Sequence, residues 1–303
     1  MAEAEVGTGI EPATLNLLAR CTFPVPGTKV TCAVSGGADS MSLMALAVGA
    51  GCVVAVIHVD HGLRPGSDSE AEVVAAAAAR FGATFHSETI EVPAGPNLEA
   101  RARDARYSVL PDDVMTGHTA DDQAETVLIN LMRGASSSGL AAMRPGLRRP
   151  ILALRRMETV GLCQALGITT VEDLSNRDPI FLRNRVRHEL LPVMNQLAGR
   201  DLVPVLTRQA DLLRADSDLL DELAAALDPT DAKQLSAAPL PLARRAVRRW
   251  LTTEHPPDAA TVERVLRVAA GQATGCDLGA GRRVERSHQR LHLLGEPSAT
   301  PSR

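Results

Sequence analysis

Residues 29–35 (KVTCAVS) form a short β-branched run that stops at a glycine pair, and residues 40–48 then turn apolar with helical spacing. This strand–turn–helix step constrains the fold more than any other stretch, because it recurs. Residues 52–60 (CVVAVIHVD), 84–92 and 114–117 read as further strands, and 149–154 as a fifth. Residues 69–81, 98–110 and 121–133 read as the intervening helices, the first with Ser67 or Asp68 as N-cap. Strands alternating with helices give a parallel sheet covered on both faces. The expected fold class is α/β, a doubly wound, mostly parallel sheet followed by a smaller, mainly helical C-terminal domain. The alternation ends near residue 170. Residues 181–198, 201–227, 241–253 and 259–270 read as helices, and 284–286 with 290–294 as a terminal hairpin. A boundary near Gly199 separates domain 1–198 from domain 199–303, and 295–303 reads as a loose tail.

The turn after the first strand reads Ser35-Gly36-Gly37-Ala38-Asp39-Ser40. Two glycines permit positive φ and close approach of a bulky anion. The turn and the helix start then aim several N–H groups at one point, a phosphate nest. Ser35 and Ser40 add hydroxyls. Asp39 makes sense beside phosphates if it holds Mg²⁺. No lysine follows the glycines, so this is not a Walker A loop.

Composition narrows the partners. Residues 1–132 carry 7 basic and 17 acidic side chains, and residues 133–303 carry 25 and 19. An acidic pocket beside a basic surface is the expectation. Lys29 and Lys233 are the only lysines, so the basic surface is arginine, which forks onto phosphates. Six aromatic residues are too few for a broad base-stacking platform, so a nucleic acid would be recognised by shape, phosphates and one captured base. Five scattered cysteines without a C-x-x-C pair, an acidic N-terminus and no long apolar run point to a reducing cytoplasm.

Asp121, Asp122 and Glu125 crowd one helical turn just past a strand end. Such carboxylates repel unless a cation or proton shares the site, although acids in a first turn also stabilise their own helix. His118 precedes them. His58 and His61 flank the end of the second strand, and Asp60 lies where many nucleotide folds place a ribose-binding acid. His58 is equally readable as a half-buried strand residue. Arg103 and Arg106 share a helix face and suit a phosphate or adenylate. Arg183 and Arg187 share a face while Arg185 points elsewhere. Arg244, Arg245, Arg248 and Arg249 ring one helix beside Trp250 and suit a nucleic-acid backbone.

The loop Ser35–Ser40 resembles the PP-loop of the ATP pyrophosphatase superfamily. Four further segments narrow the resemblance: His58-Val59-Asp60-His61-Gly62-Leu63-Arg64; Asn97 through Tyr107; Thr116-Gly117-His118-Thr119-Ala120-Asp121-Asp122-Gln123-Ala124-Glu125-Thr126; and Glu172-Asp173-Leu174-Ser175-Asn176 with Phe181 through Arg187. In this order they resemble the tRNA(Ile)-lysidine synthetases over residues 28–195, with a weaker match beyond. The resemblance implies an adenine nucleotide alpha hydrolase-like fold and a carbon–nitrogen ligase. ATP would adenylate the C2 oxygen of the cytidine at the first anticodon position of an isoleucine tRNA with a CAU anticodon. Free L-lysine would then displace AMP. It further implies ATP on Ser35, Gly36, Gly37, Ala38, Asp39, Ser40, His58 and Asp60, with Mg²⁺ on Asp39. Catalysis would involve Asp39, His118, Asp121, Asp122 and Glu125, with His118 or a carboxylate as the base. Arg103 and Arg106 would hold substrate or phosphate, and Arg183, Arg185, Arg187, Arg245, Arg248 and Arg249 would hold tRNA. The oligomeric state stays open, a homodimer included. The competing readings are a PP-loop tRNA 2-thiolation enzyme, which would need reactive cysteines, and a non-catalytic adenine-nucleotide-binding regulator, which leaves the acidic helix unexplained.

Overall fold

A computed structural model describes residues 12–60, 68–91, 95, 98–171, 178–253 and 255–295. Motif residues 61–64, Asn97 and 172–176, the cap candidate Ser67 and tail residues 296–303 lie outside the described residues. The chain divides into two compact units, Met1–Asp211 and Leu212–Arg303.

In the first unit, helix α1 (Pro12–Leu18) precedes strand β1 (Lys29–Ala33), helix α2 (Ala38–Gly49) and strand β2 (Val53–Asp60). Helix α3 (Asp68–Arg80), strand β3 (Thr84–Thr89), helix α4 (Leu98–Ser108) and strand β4 (Met115–Thr116) follow. The four strands are parallel in the order β3-β2-β1-β4. After β3 the chain crosses back to the far side of β1. The topological switch therefore falls between β1 and β4, where sheets of this kind open a crevice at the strands' carboxyl ends. Residues 40–47 of α2 are all buried, with Met41, Leu43, Met44 and Leu46 fully so. Each such side chain contributes about 1.5–3 kcal/mol, so the helix behind the glycine turn is fixed by the core.

Residues 149–154 do not form the expected fifth strand. They make a turn with bonds from Leu152 N–H to Arg149 and from Leu154 N–H to Ile151. Pro150 cannot donate to a ladder, and Ile151, Leu152 and Leu154 are all buried, which is not the alternation of a half-covered strand. After α5 (Ala120–Met132) and α6 (Ser137–Leu140) comes a helix beyond those the spacing predicts, α7 (Arg156–Ala165). It packs on α2, and Ser42 Oγ donates to the Thr159 carbonyl at 2.9 Å. The expected helix over 181–198 is α8 (Leu182–Arg185), a π turn (Val186–Leu190) and α9 (Leu191–Ala198). Pro192 lacks the N–H that would bond the residue-188 carbonyl, so the ladder steps to i→i+5, with Leu191 N–H on Val186. A long helix, α10 (Val203–Ala225), follows.

The second unit joins α11 (Ala232–Ala237), α12 (Leu240–Leu251) and α13 (Ala259–Ala269) to an antiparallel sheet of β5 (Gly275–Gly279), β6 (Arg282–Ser287) and β7 (Arg290–Leu294). The expected hairpin thus gains a third strand. Its own core includes Leu235, Val247, Leu251, Val265, Val284 and Leu291.

Candidate active site

The glycine turn sits at the carboxyl end of β1. Gly36 has φ +88°, and a Cβ there would press on Val171 Cγ2 at 3.0 Å, so the position demands glycine. Gly37 is extended and caps α2. Ser40 Oγ donates to the Gly37 carbonyl at 2.9 Å and accepts the Ser35 N–H at 3.1 Å. With that hydrogen spent, Ser35 Oγ is the donor in the 3.3 Å contact between the two hydroxyls. The loop is braced from within, and the first-turn N–H groups of α2 have no earlier helical carbonyl to bond.

Gly117 ties β4 to this loop. A Cβ on it would lie 2.9 Å from the Asp39 carbonyl and from Ser40 Cα. Backbone therefore packs directly on backbone, and the start of α5 arrives beside the start of α2. Both the N–H and the hydroxyl of Thr119 bond Asp122 Oδ2, at 2.8 and 2.9 Å. Asp122 thus stabilises its own helix with one oxygen and keeps the other, Oδ1, for the crevice.

The acids do not stand alone. Arg156, the first residue of α7, places each guanidinium nitrogen on a different carboxylate: Nε on Asp39 at 3.2 Å, Nη1 on Glu125 at 3.1 Å and Nη2 on Asp122 at 2.8 Å. Arg187 grips Glu125 through Nε at 2.7 Å and Nη2 at 3.0 Å, and Arg183 lies 3.8 Å from both Asp122 and Glu125. Glu125 is 1 % exposed. Three carboxylates and three guanidiniums balance in charge, so the cation that crowded acids require comes from the chain itself. Asp121, grouped with these acids by its spacing, turns aside. It takes Arg155 Nε at 3.0 Å and the Arg156 N–H at 2.8 Å. Burial pushes the Asp122 carboxyl up, but Arg156, His118 and the Thr119 N–H more than offset it and leave it below the usual range. Burial raises Asp39 despite Arg156 and Thr159, whose hydroxyl contacts its Oδ1.

His118 Nδ1 lies 2.7 Å from Thr116 Oγ1, which also bonds the Arg148 carbonyl at 3.0 Å. A carbonyl only accepts, so the Thr116 hydrogen goes there and His118 Nδ1–H donates to Thr116. Nε2 is left as an acceptor. Burial holds this imidazole at about 4; Asp122 opposes the shift, and Arg149, Arg183 and Arg103 add to it. His58 is buried, and its Nδ1–H donates to the Val34 carbonyl at 2.9 Å, so it is a satisfied strand histidine beside the loop. Asp60 ends β2 in register with Thr89, one strand away from the loop-bearing β1. Arg103 and Arg106 stack on the Tyr107 ring at 4.9 and 5.4 Å.

Residues 11–194 match the model of the PP-loop domain family, and residues 231–292 the TilS substrate binding domain. Among curated proteins, the tRNA(Ile)-lysidine synthase of Rhodococcus erythropolis is 43 % identical over 75 % of this chain and 74 % of that protein. Its Nocardia farcinica counterpart is 44 % identical over 76 % and 77 %, and the Mycobacterium tuberculosis one 39 % over 72 % and 73 %. The chain belongs to the tRNA(Ile)-lysidine synthase family. A solved U34-tRNA thiolase, NcsA of Methanococcus maripaludis with its [4Fe-4S] cluster, superposes with a TM-score of 0.53 at 15 % identity, over 66 % of this chain and 78 % of that one. That likeness is one of fold. In this lysidine synthase family member, Cys32 and Cys52 are buried and burial raises both thiols, Cys32 to about 12, so neither offers a thiolate for sulfur chemistry.

The arginines expected to meet tRNA divide into three groups. Arg183 and Arg187 share a face, and both guanidiniums are turned to the acids of the crevice. Arg185 is exposed and pairs with Glu189 at 3.4 Å. On α12, Arg245 reaches Asp221 at 2.6 Å and the Ser217 hydroxyl at 3.1 Å, whereas Arg248 and Arg249 are exposed. Arg155, Arg156 and Thr159 escape the sequence reading. A signal for their helix is nonetheless present: Glu158 sits three residues after Arg155 and bonds its N–H at 2.7 Å, and Leu162, Cys163 and Leu166 follow with helical spacing.

Proposed function

We propose that the chain ligates free L-lysine to C2 of the cytidine at the first anticodon position of an isoleucine tRNA with a CAU anticodon. ATP adenylates the C2 oxygen and releases pyrophosphate, and the lysine ε-amine then expels AMP. The observation that carries this reading is the meeting of Asp39 of the glycine loop with Asp122 and Glu125 of α5 at one guanidinium. A phosphate-binding turn and an amine-binding acid pair thereby share one crevice, which adenylation followed by amine attack requires.

In this reading the turn Ser35–Ser40 holds the triphosphate, with His58 and Asp60 on the nucleoside side. Arg103 and Arg106, held by Tyr107, face the phosphates or the adenylate. Asp39, a hard oxygen donor at the glycine loop, would hold Mg²⁺. The ion would neutralise charge on the phosphates. Asp122 and Glu125 seat the lysine ammonium, and Asp121 steadies Arg155 at the start of α7. His118 is neutral at pH 7 and too weak a base, at about 4, to deprotonate an ammonium of ordinary pKa near 10.4. Asp122, held below the usual carboxylate range, is no stronger a base, so the acid pair serves to seat the ammonium and His118 Nε2 serves as a hydrogen-bond acceptor in the pocket. Residues 1–198 form the catalytic part. Residues 199–303 bind tRNA through Arg245, Arg248 and Arg249, with Arg183, Arg185 and Arg187 at the crevice edge. Among the described residues no helix is long and apolar enough to cross a membrane, and the cytoplasm, where tRNA is modified, is the proposed location. The test is incubation with ATP, the CAU-anticodon isoleucine tRNA and labelled lysine. Label in the tRNA with stoichiometric AMP and pyrophosphate is expected. Sulfur incorporation, or ATP binding without turnover, overturns the reading.

A further inference from the structure

Arg156 bonds both the glycine loop and α5, through Asp39 on one side and Asp122 with Glu125 on the other. Arg187 and Arg183 are turned to Asp122 and Glu125. With three acids and three arginines in balance, an incoming ammonium can be accommodated only if one guanidinium leaves. Arg187 is the poorer candidate, because two of its nitrogens hold Glu125 at 2.7 and 3.0 Å, and the departure of Arg183, 3.8 Å from both acids, would free no hydrogen-bonding position on them. Arg156 spreads single bonds over three carboxylates, while its main chain is pinned by the N–H bond to Asp121 at 2.8 Å. The side chain can swing without moving the helix.

We propose that Arg156 occupies the ammonium seat of Asp122 and Glu125 in the nucleotide-free protein and is drawn to the triphosphate when ATP enters the glycine loop, so that ATP and lysine bind with positive coupling. This rests on the reading that Asp122 and Glu125 seat lysine. A guanidinium forks onto phosphate oxygens in strong charge-assisted bonds, and a triphosphate beside Asp39 outcompetes a third share of each carboxylate. Removal of Arg156 leaves the three acids with two cations, one charge short, which is the vacancy an ammonium fills. Arg156 is thus a positioning residue that orders the two substrates and keeps the amine out until there is something to activate.

Calorimetric titration of L-lysine into the whole protein, without and with saturating α,β-methylene-ATP, tests this. The analogue is expected to tighten lysine binding in the wild type by about tenfold, within the usual 5–150-fold range of coupling. Lysine must tighten the analogue by the same factor. Arg156→Gln is expected to bind lysine without nucleotide almost as tightly as the nucleotide-bound wild type, bringing the ratio near one. Arg156→Lys is expected to keep a ratio above about three. Equal lysine affinity in the wild type with and without analogue, no lysine binding with the analogue present, or an undiminished ratio in Arg156→Gln each overturns the proposal. The wild-type comparison needs no variant to fold. Asp122→Asn combined with Glu125→Gln separates the two claims. If that variant binds lysine normally, the seat is misassigned; if it loses lysine while the wild-type ratio is one, only the coupling fails.

Discussion

The two units hold arginine in opposite ways. In the first, Arg156 and Arg187 are partly exposed but bond carboxylates that are buried, Asp122 and Glu125. In the second, Arg245 pairs with a half-exposed Asp221 and Arg244 with a half-exposed Glu263, while Arg248 is exposed and the exposed Arg249 reaches only the Ala224 carbonyl, at 3.4 Å. Removing one member of a buried pair strands a charge at a cost of about 3–5 kcal/mol, whereas surface pairs are worth about 0–1 kcal/mol. The first arrangement fixes atoms to fractions of an ångström, as chemistry needs. The second leaves cations free to trade water and counterions for a polyanion, as phosphate binding needs. What differs is the acid partner and not the arginine: the Arg245 side chain is 17 % exposed against 26 % for Arg156, whereas Asp221 is 55 % exposed and Glu125 1 %.

The sharpest break of that comparison is Asp39→Ala. Burial already disfavours the Asp39 charge, so its loss should leave the thermal melt nearly unchanged while ATP–pyrophosphate exchange falls by roughly 10²–10³-fold or more. A variant that turns over normally would show that the loop does not hold the reacting phosphates. Glu125→Ala should behave in the opposite sense. It leaves Arg187 without its two short bonds, and a urea titration should show destabilisation by about 3–5 kcal/mol. A change below about 1 kcal/mol, the range of exposed pairs, would mean that the cluster is wetter than its geometry implies.

His118 gives a pH window. Its folded value, about 4, lies below its ordinary 6.5. Between these values the unfolded chain binds the extra proton, so stability is fully present above about pH 6.5 and is lost as pH falls toward 4. The shift corresponds to about 3 kcal/mol. Denaturation midpoints across this window should slope in the wild type and flatten in His118→Gln. An equal slope in both would move the titration to another group.

What the sequence makes legible follows the same division between local and tertiary causes. Strands β1 and β2 and the glycine turn are readable because β-branched runs and a glycine pair are local signals. The acids of α5 are readable because three fall within one turn. What they face is not. Arg156 lies 31 residues past Glu125, and nothing local distinguishes a guanidinium that closes a crevice from one that meets solvent. Arg183 and Arg187 show this most plainly. Their shared face follows from spacing, but that it turns toward Asp122 and Glu125 depends on α8 and the π turn packing against α5. The fifth strand fails for the converse reason, since a short apolar run carries no period that separates a strand from a buried turn.

The smallest structural effect and the most selective functional one should come from Arg248→Glu with Arg249→Glu. Both side chains are exposed on α12, whose apolar face, Ala243, Ala246, Val247 and Leu251, stays intact. Stability should change by no more than about 0.5 kcal/mol. The KM for tRNA should rise, and its dependence on salt should weaken, because each phosphate left without its arginine keeps about one counterion that binding would otherwise release. ATP affinity, measured with the same analogue, should not move, since these groups belong to the second unit and the glycine loop to the first. A change in ATP affinity at constant tRNA affinity would place those two arginines at the reaction crevice, and the contrast between arginines held by buried acids and exposed arginines would no longer map onto the two units.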